Sequence, residues 1–193
     1  MTVDEFQCIM PIPNIPSVME HGIVSHDLAE RLAHESVALE AVQGQRVGKQ
    51  IPGGGKLHSY ANIYFHARNP MMSRRRDQAE KLCVLRVKPD ILSIPGTVIT
   101  DQNAASRYVK FLPPAAIGML DLSYIYAEDW KHPDDKIADW KHSSAKCAEA
   151  LVPERVPSGY VTGAYVVNEK TLKELQEIGF TLPITVEPDM FFR

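Results

Sequence analysis

The sequence has no excess of basic residues: 21 Lys and Arg against 24 Asp and Glu leave a formal net charge of −3. A protein that coats duplex nucleic acid by charge alone carries the opposite balance, although a short strand can still be held in a locally basic groove. Only three cysteines occur, Cys8, Cys83 and Cys147, far apart and odd in number. That excludes a disulfide framework and a Cys-x-x-Cys metal pair. No apolar run approaches the roughly 20 residues needed to span a bilayer. The opening MTVDEFQCIMPIPNIP lacks the basic and apolar regions of a secretory leader. A reduced, cytoplasmic protein with no membrane association is expected.

Several chemistries lack their motifs as well. The seven histidines form no H-E-x-x-H and no helical i, i+4 pair, so no metal is expected. A G-x-S-x-G nucleophile turn is absent. Gly53-Gly54-Gly55-Lys56 resembles a phosphate loop only superficially. The full pattern needs glycine at position 50 and a hydroxyl at position 57, where Gln50 and Leu57 stand.

What is present is ordinary globular material, 45% apolar and 23% charged over 193 residues, enough for one domain spanning 1–193. Fourteen prolines and eleven glycines predict short elements and functional loops. A helix is predicted from Asn14-Ile15-Pro16-Ser17 to a stop at Gly22, and an amphipathic one over 27–42 behind Asp27 as cap. Residues 43–58 read as a glycine-rich mobile loop able to close over a ligand. Strands are predicted at 59–66, 82–88, 96–100, 148–152 and 160–167, and helices at 74–81, 104–111 and 170–178. Residues 112–145 show the least periodicity. Short strands scattered among helices make the class α+β.

Some polar residues stand in unusual settings. Glu149 interrupts the apolar run Cys147-Ala148-Glu149-Ala150-Leu151-Val152. It is either an exposed edge position or a buried carboxylate that needs a partner. Arg46 lies in the glycine-rich loop, Arg68 just beyond a predicted strand, and Thr100-Asp101-Gln102-Asn103 in a turn between strand and helix.

At these residues the sequence resembles the DarT family of DNA ADP-ribosyltransferase toxins. Asn14-Ile15-Pro16-Ser17-Val18-Met19-Glu20-His21-Gly22-Ile23-Val24-Ser25 is similar to the family's N-L-x-x-I-L-x-x-G-L-x-S opening. Residues 60–72 resemble its Y-V-P-F-Y-F-x-P-R-S-P-M-L block, residues 100–106 its T-D-G-N-A-A-S element, and residues 146–152 its R-x-A-E-F-L-V strand. The blocks come in family order over roughly residues 7–178. One departure stands out. Where the family has Y-H-x-T-H, this chain has Gln7-Cys8-Ile9-Met10-Pro11, so a thiol and a proline replace two histidines.

The resemblance implies an ADP-ribosyltransferase fold: a split mixed β-sheet with flanking helices and an NAD cleft. It implies Glu149 and Arg46 as catalytic residues, and Cys8, Asn14, Ser17, Arg46 and Arg68 around NAD. Met72, Tyr108, Lys110, Tyr124 and Trp130 would meet the substrate, with a recognition segment over about 109–130. The aromatics are open to a core role, and Arg74, Arg75 and Arg76 to a solvated helix start instead of a phosphate contact. The implied activity is transfer of ADP-ribose from NAD to a base of single-stranded DNA, thymine or else guanine. RNA, or a weakened NAD-binding relative, is the alternative. The implied partner is a macrodomain antitoxin of DarG type.

Such chemistry needs these residue types. Breaking the nicotinamide–ribose bond builds oxocarbenium character, which a carboxylate stabilises. An arginine fixes a pyrophosphate bidentately. A base can be reached only out of its stack, which favours a single strand.

Overall fold

The computed structural model describes residues 2–32, 34, 35, 44 and 46–193. Eight strands form one sheet: β1 (Phe6–Pro11), β3 (Tyr60–Tyr64), β4 (Leu82–Val87), β5 (Val98–Thr100), β6 (Phe111–Leu112), β7 (Glu149–Pro153), β9 (Val161–Val166) and β10 (Ile184–Val186). Their order is β10-β9-β4-β1-β3-β7-β5-β6. The β10–β9 pair is parallel and the other pairs are antiparallel, so the sheet is mixed. A second, two-stranded sheet joins β2 (Ile23–Val24) to β8 (Arg155–Val156). Among the described residues the α-helices include α1 (Ile15–His21), α2 (His26–Ala29), α3 (Pro70–Arg74), α4 (Leu122–Tyr126), α5 (Lys136–Ala145) and α6 (Glu169–Glu177).

The central strands are apolar on both faces because both are covered. In β4, Cys83, Leu85 and Val87 face one core with Phe6, Ile63, Phe65 and Ala150, while Leu82 and Val84 face a second with Met72 and Phe191. Successive side chains of a strand point to opposite faces. The same alternation in β7 sends Ala150 and Val152 to the main core and Leu151 to a third cluster with Ile51, Leu57 and Tyr60. Glu149, two residues before Leu151, shares that third face.

Helix ends follow their caps. Asn69 accepts from the amides of Met71 and Met72 to start α3, with Pro70 in its first turn. Asp135 accepts from Ile137 and Ala138 to start α5. Asn168 opens α6, and Gly179, with φ 92°, follows its end.

Three predicted elements differ. The helix over 104–111 is absent, because side chains capture the amides a helix would use: Asn103 takes that of Ala105, Ser106 that of Tyr108, and Asp101 that of Lys110. Of the helix behind Asp27 the described residues form one short element, α2, capped by Ser25, and residues 33 and 36–42 of its predicted span lie outside the described residues. In the glycine-rich loop, residues 50–57 form a tethered turn. Ile51 and Gly55 bond through their backbones, and Ile51 and Leu57 are buried. Residues 43 and 45 of that loop also lie outside the described residues. Among the described residues, no helix is long and apolar enough to cross a membrane.

Candidate active site

A cleft of about 980 Å³ opens beside the sheet. One wall comes from β1, α1 and β2, including Cys8, Asn14 and Ser17. The other comes from Arg46 and Lys49, the 103–107 turn and the end of α5. This volume lies at the upper end of the roughly 300–1,000 Å³ common for small-molecule sites, so a dinucleotide-sized ligand fits.

At its back Arg46 and Glu149 meet. Nη1 and Nη2 of Arg46 donate to Oε1 and Oε2 of Glu149 at 3.0 and 3.2 Å. Glu149 is 1% exposed and Arg46 7%. Glu149 therefore is not an edge position: β7 runs between β3 and β5, and its carboxylate is fully enclosed. Its Oε1 also accepts from the amide of Ala104, and its own amide donates to the hydroxyl of Thr100. Burial works against a charged guanidinium at Arg46, but the adjacent carboxylate outweighs it and raises its pKa above the ordinary value. Arg46 is thus held charged and lines the cleft, with the carboxylate behind it.

The remaining sequence candidates divide. Cys8 lines the cleft wall, but burial pushes its thiol up to about 12, so it is neutral and a weak donor. Asn14 lines it too, yet both ends of its amide are spent on the backbone of Glu35, at 2.7 and 2.9 Å. Ser17 stands half-buried on the same wall. Arg68 does not line the cleft. It donates to the carbonyls of Asp189 and Glu128 and lies over the ring of Phe192, a strut between two surface segments. Met72 is a fully buried core residue.

The aromatic candidates separate in the same way. Trp130 is 5% exposed, packed edge-on against Phe192, with Nζ of Lys146 5.5 Å from its ring centroid. It is core, not platform. Tyr124 stacks flat on His142 at 3.5 Å, so one ring face is already used. Tyr108 and Lys110 are exposed, Tyr108 at 66%. Arg74 is exposed at the cleft margin.

The sequence reading missed Lys49, Arg107 and Trp140, all of which line the cleft. Lys49 donates to the carbonyl of Ser106, and burial followed by repulsion from Arg46 lowers its pKa. Its spacing of three from Arg46 was the available signal. Trp140 gave none, since the five-residue α4 and ten-residue α5 lie in the stretch with no readable period. Among the described residues, no group of three or more His, Cys, Asp or Glu could hold a metal.

The family model for DarT, the single-stranded-DNA thymidine ADP-ribosyltransferase, matches residues 8–192. A DNA ADP-ribosyl transferase–DNA ADP-ribosyl glycohydrolase fusion protein of Thermosipho africanus is 30% identical over 198 residues, covering 97% of this chain and 49% of that protein. The chain thus spans about half the length of that relative. The structure of Thermosipho africanus DarTG with ADP-ribose superposes with a TM-score of 0.86 at 28% identity, over 98% of this chain and 51% of that one. Thermus sp. 2.9 DarT with ADP-ribosylated single-stranded DNA gives 0.83 at 21% identity, over 98% and 96%, which bears on the fold alone.

Proposed function

The chain belongs to the DarT family, and from that premise we propose that it transfers ADP-ribose from NAD to a base of single-stranded DNA, thymine first, releasing nicotinamide. The observation that carries this reading is the enclosed Arg46–Glu149 pair at the back of a cleft of dinucleotide size. We read residues 1–193 as one catalytic unit.

Each group has a physical task. Arg46 presents a permanent positive charge to the cleft, suited to a pyrophosphate and able to fix the geometry of the bond that breaks. Glu149 supplies negative charge next to the ribose carbon that becomes cationic, and an acceptor for the proton of the attacking base nitrogen. The amide of Ala104 holds that carboxylate before substrate arrives, and the hydroxyl of Thr100 holds the backbone that carries it. Because the cleft-facing group is Arg46, the carboxylate acts where the guanidinium gives way to substrate. Cys8, where the family has histidine, contributes shape more than hydrogen bonding.

The Thermosipho relative joins its transferase to a DNA ADP-ribosyl glycohydrolase. We infer that this chain acts as a toxin whose product is removed by a macrodomain partner of DarG type. The test is mass spectrometry of mixed-sequence single-stranded DNA, single-stranded RNA and duplex DNA after incubation with protein and NAD. A gain of one ADP-ribose on single-stranded DNA, lost in Glu149→Ala, is the expected result. A gain on RNA alone moves the substrate and keeps the chemistry. No adduct on any strand overturns transfer to nucleic acid.

A further inference from the structure

Two large aromatic side chains are left in solvent beside the cleft. Trp140 is 49% and Tyr108 66% exposed, and their rings meet nearly perpendicular, 87° apart with centroids at 6.0 Å. A perpendicular pair leaves both faces of one ring and one face of the other uncovered by its mate. Ile137, one turn before Trp140 on α5, extends the apolar surface and is itself 67% exposed. Exposed apolar groups scattered singly need no explanation, but a contiguous group at the mouth of a site does.

The supports are rigid. Trp140 rides on α5, whose start is fixed by Asp135 and whose later residues Ser143 and Ser144 line the cleft. Tyr108 sits in the turn held by Ser106 and Asp101. That turn is bonded back to α5 through the amide of Asn103 and the carbonyl of Ser144. Both rings are therefore pre-placed, at little entropic cost on binding.

Charge points to the occupant. Arg107, adjacent to Tyr108, is exposed and lines the cleft, and Lys110 and Lys141 are exposed close by in sequence. Flat rings interleaved with cations are what a single strand needs, bases stacking and phosphates pairing. We propose that Tyr108 and Trp140 form a second nucleobase subsite at the cleft rim, stacking the base next to the one modified while Arg107 holds the phosphate between them. This rests on the single-strand reading above and adds how the enzyme grips the strand outside the reacting nucleotide.

The molecule carries its own reporter. Of its two tryptophans Trp130 is buried and Trp140 exposed, so quenching of emission by an added strand reads Trp140. Oligothymidylates of about ten nucleotides, added without NAD, are expected to quench wild-type emission and to leave Trp140→Ala unquenched. In transfer assays, kcat/KM on the long oligomer relative to a thymidine mononucleotide is expected to fall roughly 5- to 150-fold in Trp140→Ala, through KM. Trp140→Phe, which keeps a stacking face, should restore most of it, and Arg107→Ala should weaken the salt dependence of KM.

Three outcomes overturn the subsite. One is wild type modifying DNA while Trp140→Ala matches it on both lengths. Another is emission unchanged by saturating strand. The third is Trp140→Ala losing affinity for a DarG-type partner and none for DNA. If wild type gives no adduct at all, transfer fails as a reading, and the quenching titration still decides the subsite.

Discussion

Both oxygens of Glu149 are gripped by one side chain, the guanidinium of Arg46, across 103 residues of sequence. Removing either partner strands a charge in an enclosed place. Glu149→Ala and Arg46→Ala should each cost about 3–5 kcal/mol of stability. The double variant Arg46→Met/Glu149→Leu should recover most of that loss without recovering activity. Denaturant unfolding measures the first effect. Transfer in each single variant should fall by at least ~10². A stable, fully active Glu149→Gln would end the catalytic assignment.

Gly22 closes α1 with φ 84°, and a side chain there would run into the carbonyl oxygen of Val156. Both the left-handed backbone and the close approach demand glycine. Gly22→Ala should lower stability by at least ~2 kcal/mol. It should also raise the KM for NAD, since Gly22 and its neighbours Ile23 and Val24 line the cleft. Unchanged unfolding would show that the β2–β8 contact is dispensable.

His66 answers to acid. Burial first, then the charges of Lys146 and Arg68, pushes its pKa down to about 4. The unfolded chain takes up that proton near 6.5, while the native state resists it until about 4. The contribution is therefore complete above pH ~6.5 and is lost as pH falls through 4, about 3 kcal/mol in all. His66→Gln should flatten this part of the stability profile. Parallel wild-type and variant curves between pH 7 and 4.5 would sink the idea.

The cysteines should be silent. Burial lifts the thiols of Cys8 and Cys147 to about 12 and raises that of Cys83 as well. A thiolate is the reactive form. A chromogenic disulfide reagent at pH 8 should find no accessible thiol in the folded protein and all three in urea. Rapid native labelling at Cys8 would place the cleft wall in solvent.

Much of the fold could be read from local pattern. The aromatic and β-branched run at Tyr60–Tyr64 and the apolar runs at Leu82–Val87 and Glu149–Pro153 are strands, and the capped stretch before Gly179 is a helix. Where sequence reasoning failed, a partner distant in sequence decided the matter. Glu149 looked equally at home on an edge, because Arg46, which makes its burial tolerable, is invisible from residues 147–152. Residues 104–111 have a helical spacing that Asn103, Ser106 and Asp101 override with their side chains. Trp130 and Trp140 are indistinguishable by composition. One meets Phe192 and Lys146, well separated from it in sequence, and the other meets Tyr108.

The small second sheet has a mechanical consequence. It zips Ile23 to Val156 and Val24 to Arg155, and Ser25 and His21 add bonds to Glu154 and Arg155. The wall that holds Asn14 and Ser17 is thereby bolted to the segment that leaves β7, the strand of Glu149. Asn14 and Ser17 thereby keep a set distance from the strand of Glu149, so the gap a ligand enters is fixed by backbone bonds before it arrives.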